Sequence, residues 1–292
     1  MSLLAENKYG QVNQVELSPG LSELVIEHPK CKARVSLYGG QVLSWIPSGQ
    51  KEVFWLSETS SFEQGKAIRG GIPLCWPWFG AHPDDSENKI GNHGFARIEL
   101  WQIIDIDISA QGVEIRLGWQ GENMHALWPY ACQLEQVLFF GELFKQRLKM
   151  KNLSKSDAYY TGALHSYFLV SSPKDIKISA LDLASFHDKL TNQQCLPQPV
   201  ENSVGPIDRI YYTNDSMNIV DSKWQRTIEL KSSNCKEWVF WNPGVGLASQ
   251  MADIHPSGEQ EFVCLEAANT QMELLPAGEQ VIMEQKISIS EF

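Results

Sequence analysis

The dominant pattern in this sequence is an alternation of apolar and polar side chains with a period of two. It is clear in residues 99–109 and 113–120 and again in residues 144–151. Because successive side chains of a strand point to opposite faces of a sheet, this pattern predicts half-buried β-strands. A short turn at residues 110–112 joins the first two segments and predicts a hairpin. The chain is therefore constrained to a fold built from antiparallel sheets.

Shorter runs of the same kind extend the prediction over most of the chain. Strands are predicted at residues 24–27, 32–38, 53–56, 132–140, 176–181, 207–212, 227–231, 238–241, 262–265 and 281–290. Helical signals are scarce, and a weak capping box at residues 60–63 predicts a turn or two of helix. Many short strands separated by Gly and Pro turns predict an all-β fold, a large antiparallel β-sandwich with few short helices. No polar low-complexity linker divides the chain, so we expect one domain, residues 1–292, with residues 191–206 as a long internal loop.

Charge and composition exclude several classes of function. The chain has 24 Lys and Arg against 35 Asp and Glu, which gives a net charge of −11. A protein that coats nucleic acid or an anionic membrane needs a concentrated positive field, so neither partner is expected. No apolar run reaches the ~18 residues of a membrane helix. Residues 1–20 lack the basic start and apolar stretch of a signal peptide.

The six cysteines are widely spaced, and the sequence contains no C-x-x-C pair. A thiolate metal site is therefore not expected, and free thiols favour a cytoplasmic location. A site made of His82, Asp84, Asp85 and His93 would match no established ligand spacing, so no metal is predicted. The hydrophilic strand faces favour a monomer. We also find no phosphate-binding loop, and Gly244-Val245-Gly246 lacks the following helix of a dinucleotide site.

One segment that interrupts the alternation is IRGGIPLCWPWFG, residues 68–80. Arg69 is followed by two glycines, which would allow a ligand to approach the backbone closely. Trp76, Trp78 and Phe79 offer apolar faces to a ligand. The same residues could equally form a tight corner whose aromatic rings cap the core.

A second segment is NHGFAR, residues 92–97, which follows a polar loop and opens the isoleucine-rich hairpin. Polar residues at the mouth of a strand often belong to a site, although a solvated turn would look the same. A smaller segment, residues 207–211, places Asp208 beside Arg209 within a strand. An ordinary ion pair would explain that arrangement.

Two further segments place ionisable residues in apolar surroundings. His165 lies in the run ALHSYF, residues 163–168, where a lone histidine is more often a satisfied core residue. Glu266 ends the apolar part of FVCLEAAN, residues 262–269. A carboxylate at the end of a buried strand is costly unless it is paired or functional. Glu266 is therefore the strongest single candidate for a functional residue.

Taken together and in this order, these segments resemble the glucose-6-phosphate 1-epimerases, a branch of the aldose 1-epimerase superfamily. The resemblance runs from about residue 24 to the C-terminus, and IRGGIP-x-x-WP-x-FG and HGFAR are its specific motifs. The LHSYF and LEAAN segments fit the two catalytic positions of the family. The galactose-type signatures NH-x-YFNL and EPQ are absent from the sequence, which argues against galactose as the substrate.

The resemblance implies a galactose mutarotase-like β-sandwich, no cofactor, and interconversion of the α and β anomers of a hexose 6-phosphate. It implies that His165 and Glu266 are the catalytic pair, acid and base respectively. Substrate-binding positions carried over from the family are Arg69, Asn92, Arg97 and Asp208, with His93 as a weaker candidate. Asn92 stands where related chains often carry the longer glutamine.

The expected ligand is a small-molecule sugar phosphate. Only seven arginines occur in the chain, and Arg69 and Arg97 both lie in the motif segments. The guanidinium fork suits phosphate oxygens. Trp76, Trp78 or Trp241 is expected to stack on the apolar face of the sugar.

Two alternative functions remain open at this stage. A non-catalytic carbohydrate-binding module would explain the sandwich and the aromatic residues equally well. It would not explain two ionisable residues set in apolar runs. A glycoside hydrolase or lyase on a related sandwich usually needs two carboxylates that flank the scissile bond, whereas Glu266 alone has a convincing setting.

Overall fold

The computed structural model describes residues 1–85, 91–201 and 203–292. The strands of the described chain are β1 (Ser2–Asn7), β2 (Gly10–Ser18), β3 (Leu21–His28), β4 (Cys31–Ser36), β5 (Val42–Pro47), β6 (Leu74–Cys75), β7 (Gln102–Ser109), β8 (Gly112–Gly121), β9 (Cys132–Gly141), β10 (Leu143–Asn152), β11 (Ala158–Leu164), β12 (Tyr167–Leu169), β13 (Ile176–Lys177), β14 (Phe186–Asp188), β15 (Gln193–Cys195), β16 (Ile207–Tyr211), β17 (Met217–Asp221), β18 (Arg226–Ser233), β19 (Glu237–Asn242), β20 (Phe262–Leu275) and β21 (Gln280–Glu291). They form three antiparallel sheets, which confirms the predicted all-β class.

The three sheets differ in whether neighbouring strands are consecutive in the sequence. The first has the order β1-β2-β3-β4-β5 and is a simple meander. The second has the order β13-β17-β18-β21-β10-β9-β8-β7, and the third has the order β15-β14-β16-β19-β20-β11-β6 with β12 paired to β20. The long strands β20 and β21 are consecutive in the chain but lie in different sheets. Through them the second and third sheets pack face to face, as in a β-sandwich.

Helical structure is short throughout the described residues. The helix α1 spans Gly244–Ala248, and single 3₁₀ turns lie at Ala96–Ile98, Pro173–Asp175, Leu181–Leu183 and Gly258–Gln260. None of these helices has the length and apolar character that crossing a membrane would require. The six cysteines are free, and five of them are buried.

Most strand predictions are confirmed, with several exceptions. The strand predicted at residues 176–181 is limited to β13, and the loop predicted at residues 191–206 contains β15, which pairs with β14. Residues 53–56 do not form a strand but make isolated bridges, Phe54 to Phe168 and Leu56 to Gly70. The capping box prediction is wrong, because Ser61 bonds to the Glu63 carboxylate instead of capping a helix. The glycine pair expected to lack a helix in fact opens α1, where the Asn242 side chain accepts the N–H of Gly244 at 2.8 Å.

The core between the second and third sheets contains a chain of buried amide side chains. Gln136, Gln146 and Gln285 are fully buried on the adjacent strands β9, β10 and β21. Gln146 donates to the Gln136 Oε1 at 2.7 Å, and Gln285 donates to the Gln146 Oε1 at 2.8 Å. Gln285 also bonds to Ser166, the residue after His165, at 3.0 Å. The chain of amides therefore links the second sheet to one of the segments that the sequence analysis singled out.

Replacing the central amide is expected to destabilise the fold. Gln146→Leu keeps the side chain about the same size but leaves the Gln136 Oε1 without its donor. A buried polar group that loses its partner costs roughly 1–3 kcal/mol, so the free energy of unfolding should fall by about that amount. Urea unfolding followed by tryptophan fluorescence measures the change. The matched control is Gln133→Leu at an exposed position of β9, where we expect a change within about 0.5 kcal/mol. Equal stability of the two variants would contradict the prediction.

Candidate active site

A single cleft of about 550 Å³ brings together residues from all the segments that carry candidate chemistry. It lies over one face of the third sheet. Its lining residues are Arg69, Phe79, Gly80, Ala81, Asn92, His93, Arg97, His165, Lys189, Asp208, Val239, Trp241, Leu247, Met251 and Glu266. Eight of the ten residues that the sequence predicts for catalysis, binding or stacking therefore line one cavity, and Trp76 and Trp78 are the exceptions.

Strand register explains why distant residues share this face. Asp208 on β16 lies directly opposite Trp241 on β19, and Val239 on the same strand lies opposite Glu266 on β20. Residues directly opposite in an antiparallel pair project to the same side of the sheet, as do residues two apart in one strand. The register therefore places Asp208, Trp241 and Glu266 on the cleft side of the sheet.

His165 reaches the same face from the end of β11. Its backbone N–H donates to the carbonyl of Pro73 at 3.1 Å, and its ring stacks on Tyr167 with centroids 4.8 Å apart and planes within 5°. The His165 Nδ1 lies 3.4 Å from the Glu266 Oε1. These contacts fix an imidazole beside a carboxyl group at the floor of the cleft.

The His165 and Glu266 pair is deeply buried and incompletely satisfied. The two side chains are 9% and 2% exposed. Within the described chain, the His165 Nδ1 and the Glu266 Oε2 have no hydrogen-bond partner. Native proteins rarely leave buried polar atoms without partners, and such atoms in a cleft indicate a catalytic or ligand-binding role.

Burial shifts both pKa values toward the uncharged forms. Burial, followed by the positive charges of Arg69 and Arg97, lowers the pKa of His165 well below the ordinary value of 6.5. Burial, followed by the negative charge of Asp208, raises the pKa of Glu266 well above the ordinary value of 4.5. As the pH rises, His165 loses its proton at a lower pH than usual and Glu266 keeps its proton to a higher pH than usual. The pair therefore holds one proton over a wide pH range.

Arg69 is held firmly at the edge of the cleft. Its Nε and Nη2 lie 2.9 Å from the Asp253 Oδ2, and its Nη1 donates to the Tyr167 hydroxyl at 2.8 Å. Among the described residues these contacts use three of its five N–H donors. The guanidinium is therefore oriented in advance and keeps donors for an anionic ligand.

The two glycines after Arg69 serve the chain's own packing. Gly70 and Gly71 both have positive φ, 111° and 61°. A Cβ atom on Gly71 would lie 2.0 Å from the carbonyl oxygen of Val42, and one on Gly70 would lie 2.4 Å from that of Trp55. The close backbone approach predicted from the sequence therefore exists, but the partner is the neighbouring backbone and not a ligand.

The NHGFAR segment supplies a second arginine and a neutral histidine. Arg97 donates from Nη2 to the backbone carbonyl of Asn92 at 2.7 Å. The His93 Nδ1 accepts the N–H of Gly80 at 3.1 Å, so Nε2 carries the proton in the neutral ring. Burial and the charge of Arg97 lower the pKa of His93 well below 6.5. Asn92 itself is exposed at the rim, and its backbone positions Arg97.

The aromatic predictions divide between the cleft and the core. Trp241 lines the cleft and is partly exposed, with its ring edge-on to His165 at 6.2 Å. Trp76 was expected to stack on a ligand, but it is 0% exposed and packs against Trp128 at 4.7 Å. Trp78 is 5% exposed and also belongs to the core. A fully covered ring has no face to offer a ligand, so Trp76 is withdrawn from the predicted site.

Sequence reasoning missed three residues of the site. Lys189 lines the cleft, and its Nζ lies 3.1 Å from the Asp208 Oδ2. Tyr167 and Asp253 orient Arg69. Tyr167 lies inside a motif and could have been found there, whereas Lys189 and Asp253 stand in ordinary polar contexts. Within residues 1–85, 91–201 and 203–292, we find no cluster of three or more potential metal ligands.

Comparison with known proteins identifies the family. The model of the family described as aldose 1-epimerase matches residues 22–288. The chain belongs to the aldose 1-epimerase family. A Salmonella typhimurium protein named "Putative glucose-6-phosphate 1-epimerase" is 32% identical over 250 residues, which cover 84% of this chain and 82% of that protein. An Escherichia coli protein of the same name is 32% identical over 265 residues, 87% of each chain.

Solved structures agree with this aldose 1-epimerase assignment. A crystal structure titled as a putative mutarotase from Salmonella typhimurium has a TM-score of 0.88 and 29% identity, covering 99% of this chain and 97% of that one. A galactose mutarotase-like protein from Clostridium acetobutylicum has a TM-score of 0.76 at 15% identity and shares the fold. An aldose 1-epimerase exchanges anomers at carbon 1, so the chain is an isomerase. The binding-module and hydrolase alternatives are not favoured.

Proposed function

We propose that this protein interconverts the α and β anomers of hexose 6-phosphates, with glucose 6-phosphate as the first candidate. The observation that carries the proposal is the His165 and Glu266 pair, 3.4 Å apart, in a cleft that also contains Arg69 and Arg97. The pair supplies an acid and a base, and the arginines suit a phosphate. The names of the bacterial relatives point to the same substrate.

The proposed reaction opens and closes the sugar ring by proton transfer. Burial favours a neutral His165 and a protonated Glu266, so the one proton of the pair first passes from Glu266 to His165, whose Nδ1 lies 3.4 Å from the Glu266 Oε1. Glu266 then takes the proton from the hydroxyl at carbon 1 while His165 gives its proton to the ring oxygen, and the bond between carbon 1 and the ring oxygen breaks. After rotation about the bond between carbons 1 and 2, the former ring oxygen attacks the other face of carbon 1. It returns its proton to His165, and Glu266 returns a proton to the oxygen at carbon 1. Each positioned acid or base typically contributes roughly 10²–10⁴-fold to the rate. No cofactor is needed for this sequence of steps.

The remaining cleft residues are assigned to binding. Arg69 and Arg97 would bind the phosphate, and Asp208 would accept hydrogen bonds from sugar hydroxyls. His93 would donate from Nε2 to a substrate oxygen, and Asn92 would contribute at the rim. Trp241 would pack on the apolar face of the sugar. We further propose that the protein acts as a single-domain, cytoplasmic monomer, and light scattering after size-exclusion chromatography tests the oligomeric state.

The direct test of the function is an anomer-exchange assay. Freshly dissolved α-glucose 6-phosphate is followed by polarimetry or proton NMR with and without the protein. We expect exchange faster than the buffer rate, in proportion to the enzyme concentration. Exchange at the buffer rate with every hexose 6-phosphate tested would refute the proposed function.

The proton shared by His165 and Glu266 predicts the dependence of activity on pH. Activity requires one proton on the pair, so it falls at low pH when both groups are protonated and at high pH when neither is. Because the pKa of His165 is lowered, the acid limb is expected below pH 6.5. Because the pKa of Glu266 is raised, the alkaline limb is expected well above pH 4.5, with a plateau between the limbs.

This profile is measured as kcat/KM against pH. Glucose is assayed beside glucose 6-phosphate, because a phosphate monoester itself titrates near pH ~6. A limb that appears only with the phosphorylated substrate belongs to the substrate. An acid limb at or above pH 6.5 with both substrates would contradict the prediction.

A further inference from the structure

Lys189 lies beside Asp208, the candidate sugar-binding carboxylate, and has no role in the proposed reaction. Lys189 follows β14 directly, and its backbone N–H donates to the carbonyl of Asp208 at 2.9 Å. Its Nζ lies 3.1 Å from the Asp208 Oδ2 and 5.5 Å from the centre of the Phe79 ring. Lys189 is therefore tied to Asp208 through both its backbone and its side chain.

The position of this pair differs from that of the arginines. The side chains of Lys189 and Asp208 are 35% and 22% exposed, and both line the cleft. The third sheet has the order β15-β14-β16-β19-β20-β11-β6, so Lys189 after β14 and Asp208 on β16 lie on one side of β20, the strand that carries Glu266. Arg69 bonds to Tyr167 of β12, which pairs with the opposite side of β20, and Arg97 follows Ala96, whose N–H donates to the carbonyl of Trp76 next to β6. The lysine pair and the arginines therefore reach the cleft from opposite sides of β20.

The chemistry of the pair matches two adjacent hydroxyl groups. An ammonium group has three donors and no acceptor, and an ionised carboxylate has only acceptors. A hydroxyl both donates and accepts, so one ring hydroxyl can accept from Lys189 while its neighbour donates to Asp208. The bond between the two side chains sets their spacing before the sugar arrives, which reduces the entropy lost on binding.

We propose that Lys189 is a substrate-binding residue that, together with Asp208, selects sugars carrying two neighbouring hydroxyls on the ring, at the end of the cleft away from the phosphate. This inference rests on the proposed function, because it assumes a hexose 6-phosphate in the cleft. It assigns Lys189 to the hydroxyls and not to the phosphate. The two assignments predict different effects of the same substitution.

The main experiment compares wild type with Lys189→Met, which keeps the apolar stem and removes the charge. Hydrogen bonds to charged groups contribute about 1.5–3 kcal/mol, so kcat/KM for glucose 6-phosphate should fall roughly 10–150-fold. The matched control is Lys149→Met, whose Nζ lies 2.9 Å from the Glu135 carboxylate outside the cleft. We expect the control to retain wild-type kcat/KM.

Deoxy sugars locate the contact. The 2-deoxy, 3-deoxy and 4-deoxy forms of glucose 6-phosphate are assayed with both proteins. The form that lacks the hydroxyl bound by Lys189 should lose activity with wild type and lose little more with Lys189→Met. If the variant reduces kcat/KM by the same factor for glucose 6-phosphate and for all three deoxy forms, the hydroxyl assignment is overturned.

Inhibition by inorganic phosphate tests which end of the cleft binds the phosphate. Its inhibition constant should be unchanged in Lys189→Met, and a constant that rises in this variant would show that Lys189 binds phosphate instead. An unchanged kcat/KM in Lys189→Met beside an active wild type would refute this inference alone. An inactive wild type would refute the proposed function first.

Discussion

Removing either member of the proposed catalytic pair is expected to abolish most of the activity. His165→Asn and Glu266→Gln should each lower kcat for anomer exchange of glucose 6-phosphate by roughly 10²–10⁴-fold. Each variant keeps a polar side chain of similar size but cannot exchange a proton near neutral pH. Because one group must act as acid while the other acts as base, loss of either one stops the concerted step. Stopped-flow polarimetry at saturating substrate measures the loss.

Both variants should remain folded, because burial favours the uncharged forms of His165 and Glu266, so neither substitution leaves an unpaired buried charge. The chain offers a second histidine–glutamate pair as a matched control. The His255 Nε2 lies 3.0 Å from the Glu261 Oε2, outside the cleft. His255→Asn and Glu261→Gln should retain wild-type kcat, with circular dichroism reporting the fold of all four variants. Activity retained in His165→Asn or Glu266→Gln would refute their assignment as the catalytic pair.

Removing Arg69 is expected to lower activity on a phosphorylated sugar much more than activity on the free sugar. Arg69→Ala deletes donors that Asp253 and Tyr167 hold in place. Charge-assisted contacts to a phosphate are strong, and losing them should cost about 2.7 kcal/mol, or roughly 100-fold in kcat/KM for glucose 6-phosphate. Free glucose has no phosphate, so its kcat/KM should change far less. The ratio of the two values is the diagnostic measurement.

The control for this variant is an arginine in a comparable ion pair elsewhere. The Arg34 Nη2 lies 2.8 Å from the Glu23 carboxylate on the first sheet. Arg34→Ala should leave the ratio of kcat/KM for the two substrates at its wild-type value. If Arg69→Ala reduces kcat/KM equally for glucose and glucose 6-phosphate, the phosphate assignment fails and Arg69 is better described as a structural residue.

The net charge of −11 argues against large polyanions as partners but leaves room for a small anionic ligand. Bulk charge acts over the whole surface, whereas a phosphate needs a local change of sign. Arg69 and Arg97, which line one cleft, would provide that change. The two arginines could be predicted from the sequence because they lie in motifs. Lys189 could not, because no local pattern distinguishes it from a solvent-exposed residue.

The alternation of residues such as those in β7 and β8 was sufficient to predict antiparallel sheets, because the period of a strand is a local property. The same locality explains the errors. Residues 53–56 have the composition of a strand, but Phe54 pairs only with Phe168 and Leu56 only with Gly70. These two partners belong to different segments, so only isolated bridges form. The strands β1 and β2 lack a clear apolar pattern, and they are ordered by pairing, β2 with β3 and β1 with β2.

The sequence by itself determined the fold class, the family resemblance and most of the residues at the site, since these depend on residue type and local spacing. The tertiary structure decided which of them meet. His165 and Glu266 are far apart in the chain, and the pairing of β11 with β20 brings them to 3.4 Å. Burial decided that Trp76 belongs to the core and Trp241 to the cleft. Both outcomes depend on long-range strand register and packing, which no local sequence pattern specifies.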